Sequence, residues 1–245
     1  MSNSNLINYE VPAYEGNYTK GRNTSIKAIT IHHMAMKATS QECGKVFQKV
    51  GRKGSSNYGI GYDGDIALYV NEEDTPWTNS NWNSNCESVT IETSNDEVGG
   101  NWHVSDKSLE SLIKLIADIA IRNNLGTLVK SKNLTWHQLV ADKKYPTACP
   151  GPYLISKLDY IIEKANEIIN PPKEEKPVEE PKFRVGDKVK PLKLVNYNGT
   201  PLVQYDSEYT IMEINGDRVV LGAPRGPKSE LEIWAAMNIN DIEKI

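Results

Sequence analysis

The segment Ile26–Ile31 alternates apolar and polar positions and ends in His32 and His33. A period of two predicts a β-strand with Ile29 and Ile31 on one face and Thr30 and His32 on the other. His32 and His33 then point to opposite faces, so at most one of them serves a given site. Residues Tyr9–Arg22, with Pro12, Gly16 and Gly21, show no period and read as irregular. Thr39 or Ser40 can cap a helix on which Val46, Phe47 and Val50 share a face, with Gly51 closing it. Tyr58–Ile66 reads as a hairpin, Asp63-Gly64 being a type I′ turn signal before a second strand, Ile66–Val70. Ser88–Thr93 alternates as another strand, with Val89 and Ile91 facing one way and Ser88, Thr90 and Glu92 the other. Two long amphipathic patterns follow. Ser105 caps a stripe of Leu109, Leu112, Ile113, Ile116, Ile119 and Ala120 that Gly126 ends, and Tyr153–Ile169 carries Leu154, Leu158, Ile161, Ile162 and Ile168.

The texture then changes. Asn170–Lys182 has four prolines, seven charged residues and a single aliphatic one, the composition of an extended, semi-rigid linker. From Phe183 to Ile245 short apolar runs (Asp187–Lys190, Tyr209–Ile214, Arg218–Leu221, Glu232–Ala235) are separated by Gly and Pro turns, as in a small all-β barrel. The organisation predicted is a first domain over 1–169, a linker over 170–182 and a second domain over 183–245. The fold class is α/β, a central mixed β-sheet flanked by helices, with the small barrel appended.

Composition narrows the function classes. A chain of 245 residues with net charge −4 has no basic patch for nucleic acid and no basic amphipathic helix for a membrane surface. No apolar run approaches the roughly 20 residues of a transmembrane helix. Residues 1–16 lack a positive n-region and an apolar h-region, so synthesis in the cytoplasm without a signal peptide is expected. Cys43, Cys86 and Cys149 are odd in number and widely spaced, which is no disulfide framework and fits a reducing compartment.

The candidate chemistry lies in the His32-His33 strand end and in the downstream segment Thr135–Gly151, which holds His137 and Cys149. Singly, a histidine at a strand end is more often structural, and a lone cysteine is a small buried hydrophobe. Two histidines and a thiolate converging on one point, with a fourth position left to water, form the ligand set of a catalytic zinc ion.

Four motifs in order carry a resemblance: the strand ending Ile31-His32-His33, the Tyr58-Gly-Ile-Gly-x-Asp-Gly64 hairpin, Asn85-x-x-Ser-Val-x-Ile-Glu92, and His137 followed by Thr147-x-Cys149-Pro-Gly. Over Ile26–Leu154 the chain resembles the zinc-dependent N-acetylmuramoyl-L-alanine amidases, the family of phage endolysins and bacterial autolysins that shares a fold with peptidoglycan-recognition proteins. The tail, from Val185-Gly-Asp-Lys-Val189 through Trp234 and Asp241-Ile242, is similar to the SH3-like wall-binding domains that follow such enzymes. The resemblance implies Zn2+ on His32, His137 and Cys149, with His33 adjacent to the first and Asp142 and Tyr145 as competitors for the third position. It implies Glu92 as catalytic base and Thr147 as a donor to the oxyanion. The chain departs from some branches at Ser56, where a tyrosine is usual, at Thr78, and at Thr147 itself, where others have lysine. His103 is a cleft-rim residue or has no role. The implied activity is cleavage of the amide between N-acetylmuramic acid and L-alanine in the peptidoglycan of a Gram-positive wall, by an endolysin acting on the wall after release. The alternatives are a bacterial autolysin, a non-catalytic peptidoglycan-binding protein, and a zinc hydrolase of small amides.

Overall fold

The structure is a computed structural model and describes residues 2–171, 181–225 and 230–245. The chain forms two compact units, Met1–Lys173 and Glu174–Ile245. Most of the expected linker, 170–182, lies outside the described residues.

In chain order the first unit contains β1 (Tyr9–Glu10), β2 (Tyr18–Thr19), β3 (Ala28–His33), α1 (Ser40–Phe47), β4 (Tyr58–Ile60), β5 (Ile66–Leu68), β6 (Thr75–Pro76), α2 (Trp82–Glu87), β7 (Ser88–Thr93), α3 (Asp106–Arg122), β8 (Leu134–Trp136), α4 (His137–Val140) and α5 (Gly151–Ile169). A six-stranded mixed sheet has the order β1-β5-β4-β7-β3-β8, and β2 pairs with β6 as a separate ribbon. Its centre is parallel: β4 beside β7, β7 beside β3, and β3 beside β8. Strand alternation assigns the two faces. Ile29, Ile31, Val89 and Ile91 pack against Leu112, Ile116 and Ile119 of α3 and Leu154, Leu158 and Ile161 of α5. Ala67, with Tyr69 just beyond β5, packs against Cys43 and Phe47 of α1. Helices therefore cover both faces, and the face bearing Thr30, His32, Thr90 and Glu92 is the α1 side.

Local chemistry sets the helix ends. Thr39 and Glu42 form a reciprocal capping box at α1, a feature worth about 1 kcal/mol. The Ser105 hydroxyl accepts from Ser108 N at the start of α3. Gly59, cross-strand partner of Glu92, is required by packing, since a Cβ there would clash with the Tyr69 ring and its hydroxyl.

Three local expectations are corrected. The hairpin does not turn on two residues: Ile60 pairs with Ile66, and Gly61 N donates to Asp65 O across a five-residue loop. Gly64 has φ +91° while Asp63 keeps negative φ, which excludes type I′. Val50 is off the α1 face and 77 % exposed, because the helix ends at Phe47 and its buried residues are Ser40, Cys43, Gly44 and Phe47. Residues Tyr9–Arg22 are not wholly irregular, since they supply β1 and β2.

The second unit holds β9 (Lys188–Pro191), β10 (Tyr209–Asn215), β11 (Arg218–Arg225), β12 (Glu230–Asn238) and β13 (Ile242–Lys244). They form a five-stranded sheet, β12-β11-β10-β9-β13, antiparallel throughout. Its core gathers Phe183, Val189, Tyr209, Ile211, Val219, Leu221 and Met237. Trp234 stacks on Tyr209 with ring centroids 4.0 Å apart.

Candidate active site

Three neighbouring parallel strands end at one place. His32 lies in register with Glu92 across β3 and β7, Ile31 pairs with Trp136 of β8, and His137 is the next residue. Ligand sites of open α/β sheets characteristically lie at the carboxyl ends of strands. A hydroxyl layer lies one step below, on the same face: Thr30 Oγ1 is 2.9 Å from Thr135 Oγ1, and Thr90 Oγ1 is 3.0 Å from both Ser56 and Thr78 hydroxyls. Ser56, standing in the slot of the family tyrosine, is thus a buried bracing residue.

His32 is 1 % exposed. Its Nε2 is 2.8 Å from Asn79 Oδ1. Asn79 donates its amide to Ser84 Oγ, so Oδ1 is the acceptor, Nε2 carries the proton, and Nδ1 keeps its lone pair. That lone pair faces Cys149 Sγ at 3.6 Å. The His137 ring centroid is 4.5 Å from that of His32, and His137 Nε2 is 3.3 Å from Ser80 Oγ. Burial, followed by the neighbouring His137, holds His32 well below the usual imidazole range. Burial, followed by the charge of His33, lowers His137 to about 4. Both rings are therefore neutral at pH 7. The loop before α5 delivers Cys149: Gln138 N donates to Cys149 O at 2.9 Å, and Cys149 N donates to Thr147 Oγ1 at 3.1 Å. Burial and then Glu92 push the Cys149 thiol up, against a 3.4 Å hydrogen bond from His33 N to Sγ.

One ligand atom from each of His32, His137 and Cys149 lies within 4.8 Å of the others. The set fits zinc. It offers two neutral imidazoles and one sulfur, a bare Nδ1 and Sγ that face each other, and an outer amide that fixes the His32 tautomer.

These residues open on a cleft of about 710 Å³ that Glu92, Arg52 and Trp102 also line. Glu92 Oε2 is cut off from solvent and has no hydrogen-bond partner among the described residues. Burial pushes its carboxyl up to about 8, against the nearby Arg52 charge. Thr147 reaches the cleft wall, where its hydroxyl also holds Cys149 N.

The remaining sequence candidates stand outside the three-donor group. His33 packs edge-on against Trp102, its ring centroid 5.1 Å away, and lies outside the three-donor group. Asp142 accepts from Lys144 N, and Tyr145 is exposed; both line a neighbouring groove. His103 Nδ1 is 2.7 Å from Asp96 Oδ1. Sequence reasoning missed Asn79, Ser80 and Arg52, loop residues for which no spacing rule exists.

Fold and site together define a class: an α/β protein whose mixed sheet presents a metal-competent His-His-Cys group and an unpaired acid in an open cleft. Residues 22–152, more than half of the chain, match the sequence profile described as N-acetylmuramoyl-L-alanine amidase, and the chain belongs to that family. The match spans His32, Glu92, His137 and Cys149. Among curated proteins no match is found. The fold is shared with solved structures. PlyL is 17 % identical, with TM-score 0.53 over 64 % of this chain and 94 % of that one. The PlyG catalytic domain is 14 % identical, with TM-score 0.53 over 69 % and 98 %. A mutant endolysin from Bacillus subtilis is 19 % identical, with TM-score 0.52 over 65 % and 99 %.

Proposed function

We propose that this chain is a zinc-dependent peptidoglycan amidase of the endolysin type, which hydrolyses the bond between the lactyl group of N-acetylmuramic acid and L-alanine. The observation that carries this reading is the meeting of His32, His137 and Cys149 with an unpaired Glu92 in one cleft, inside the family-matched segment. His32, His137 and Cys149 would hold the zinc. When bound, the ion supplies a Lewis acid for the carbonyl and a water that loses its proton near neutral pH.

The chain's own residues do the rest. Asn79 keeps the His32 Nε2 proton in place and its Nδ1 free. Glu92 takes the proton of the attacking water and returns it to the leaving amine of alanine, which needs a carboxyl that exchanges protons near neutral pH. With a dication held beside it, Glu92 would favour its carboxylate form and titrate below the value that burial alone gives it. Thr147 would donate its hydroxyl proton to the developing oxyanion, while its lone pair holds Cys149 N.

We assign the first domain to 1–169, the linker to 170–182 and an SH3-like wall-binding domain to 183–245. The antiparallel sheet of the second unit and its separate core support this division. A phage origin and synthesis in the host cytoplasm, with action on a Gram-positive wall, complete the reading. Among the described residues no helix is long and apolar enough to cross a membrane. The test is mass spectrometry of walls digested by the zinc-loaded protein. New free alanine amines and intact muramic lactyl carboxylates are expected. New reducing sugar ends or cut cross-bridges, without those products, would reject the assignment.

A further inference from the structure

A second groove, of about 730 Å³, opens off the catalytic cleft. Trp77 and Ser80 line both cavities. Ser80 Oγ is 3.3 Å from His137 Nε2, so the groove begins at the His137 end of the site. Its walls present Trp82, 50 % exposed, and Tyr145, 56 % exposed.

Neither aromatic sits on a loose segment. Trp82 is the first residue of α2, whose N-cap Asn81 accepts from Ser84 N and donates to Val140 O. Tyr145 sits on a turn in which its N–H meets Asp142 O at 2.7 Å, while Asp142 N donates to Ser80 O. Asn81 thus ties the α2 wall to the last residue of α4. Two large rings left about half in water forgo apolar burial, and fixed, exposed aromatics beside a cleft mark a binding surface.

Charge discriminates between ligands. Asp142 and Lys144 neutralise each other across 3.9 Å, so the Trp82–Tyr145 groove has no net charge to offer. The Lys144 ammonium covers one face of Tyr145, 5.2 Å from the ring centroid. Arg52 and Lys53 line the first cavity together with Glu92, so the cleft also has a cationic wall. The two arms of a muramoyl–peptide amide differ in the same way. The acyl arm is a strand of acetylated sugars without charge, whereas the amine arm is a peptide bearing carboxylates. Sugar rings lay their C–H faces on aromatic rings and pair hydroxyl and acetamido groups with planar amides and carboxylates, here Asn83 and Asp142.

We propose that the Trp82–Tyr145 groove is the subsite for the saccharide strand on the acyl side of the scissile amide, so that the peptide arm extends toward Arg52. This rests on the amidase reading, and the experiment separates the two. The zinc-loaded full chain is titrated calorimetrically with the peptide-free tetramer of N-acetylglucosamine. Saturable binding is expected, weakened about tenfold in Trp82→Ala and in Tyr145→Ala, as for loss of one stacked ring, and partly restored in Trp82→Phe. Hydrolysis is then compared between a peptide on a single N-acetylmuramic acid and the same peptide on a tetrasaccharide. The kcat/KM ratio should favour the longer glycan in the parent and fall in both alanine variants. No saturable binding by the parent, or equal binding by parent and variants, overturns the subsite. Failure to cleave either substrate overturns the amidase reading, and the titration still decides the groove. Cleavage with an unchanged ratio in Trp82→Ala and Tyr145→Ala overturns the groove alone.

Discussion

Cys149 and Glu92 carry the two sharpest residue-level expectations. Cys149→Ser replaces the soft donor with a neutral hydroxyl, so zinc and activity should be lost together. Metal content measured after dialysis checks this, and stoichiometric zinc in the variant would remove Cys149 from the ligand set. Glu92→Gln keeps shape and size but cannot accept a proton. It should retain zinc while turnover drops by about 10²-fold or more, the usual scale of a lost general base. Near-normal turnover would assign the proton transfer elsewhere. The same residue makes a pH prediction for the chelator-stripped protein. Its carboxyl rises from an ordinary 4.5 to about 8 on burial, so between those values the folded state binds the proton more strongly than the unfolded state. The stability this contributes is complete below the lower value and lost as pH rises through the upper one. His32 and His137 are lowered and slope the other way, costing stability as pH falls below 6.5. The difference between parent and Glu92→Gln isolates the carboxyl. The variant should gain stability steadily from pH 5 to pH 8, by at most a few kcal/mol at about 1.4 kcal/mol per pH unit. Urea titrations at several pH values measure it, and a pH-independent difference would contradict the half-buried, unpaired state of Glu92.

At the scale of elements, the site is a consequence of register. The pairings of Thr30 with Thr90 and Thr135, and of His32 with Glu92, place the polar face of three strands under one cleft. The connection that runs back over this face supplies Asn79, held by Asn85 Oδ1 on its N–H and by Ser84 on its amide. Asn79→Ala should leave the sheet in place but release the His32 ring, lowering zinc affinity by about 10–100-fold, the range for outer partners of ligating histidines. Competition with a chromophoric chelator reads it; unchanged affinity would mean that packing alone orients His32. The elements that position the site were legible in the sequence where they are long enough to show a period. Ser88–Thr93 and the stripe of α3 are found as read, and α5 starts two residues before the expected Tyr153. The two-residue strands β1, β2 and β6 and the short helices α2 and α4 span too few residues for a period. Distant groups hold them instead, as when Arg22 donates to the carbonyls of Glu72, Asn85 and Cys86. The hairpin was read in place but with the wrong turn. Its loop is fixed by Ser105 and Ser108 hydroxyls on Tyr62 O and Gly61 O, contacts with a distant helix. At the site, His32, His137 and Cys149 could be read from their motifs. Asn79, which fixes the His32 tautomer, could not, because its role exists only once β3 and the loop after β6 lie together.

For the whole molecule, the division into two units lets the appended domain be tested apart from the chemistry. Every residue assigned to the reaction lies between His32 and Cys149, and the core beneath them is built from α3, α5 and the mixed sheet of the first unit alone. The second unit has a core of its own around Tyr209, Ile211 and Leu221. On its surface Val203, Tyr205 and Ile233 are each more than 60 % exposed, apolar area that a wall ligand could cover. If this unit binds the wall, it raises the local concentration of the first unit on its substrate without touching the reacting bond. A chain ended at Asn170 should therefore fold, hold zinc and cleave soluble muramoyl peptides with a kcat/KM close to that of the full chain. On intact cells it should lyse more slowly, by a factor on the order of 10², since bivalent avidity commonly spans 10²–10⁴. Residues 182–245 fused to a fluorescent protein should decorate Gram-positive walls, and high salt should displace the fusion little if apolar contacts dominate its binding. Turbidity clearing and microscopy measure the two halves of the prediction. Full-rate lysis by the shortened chain, together with a fusion that stays in solution, would take wall binding away from the second unit.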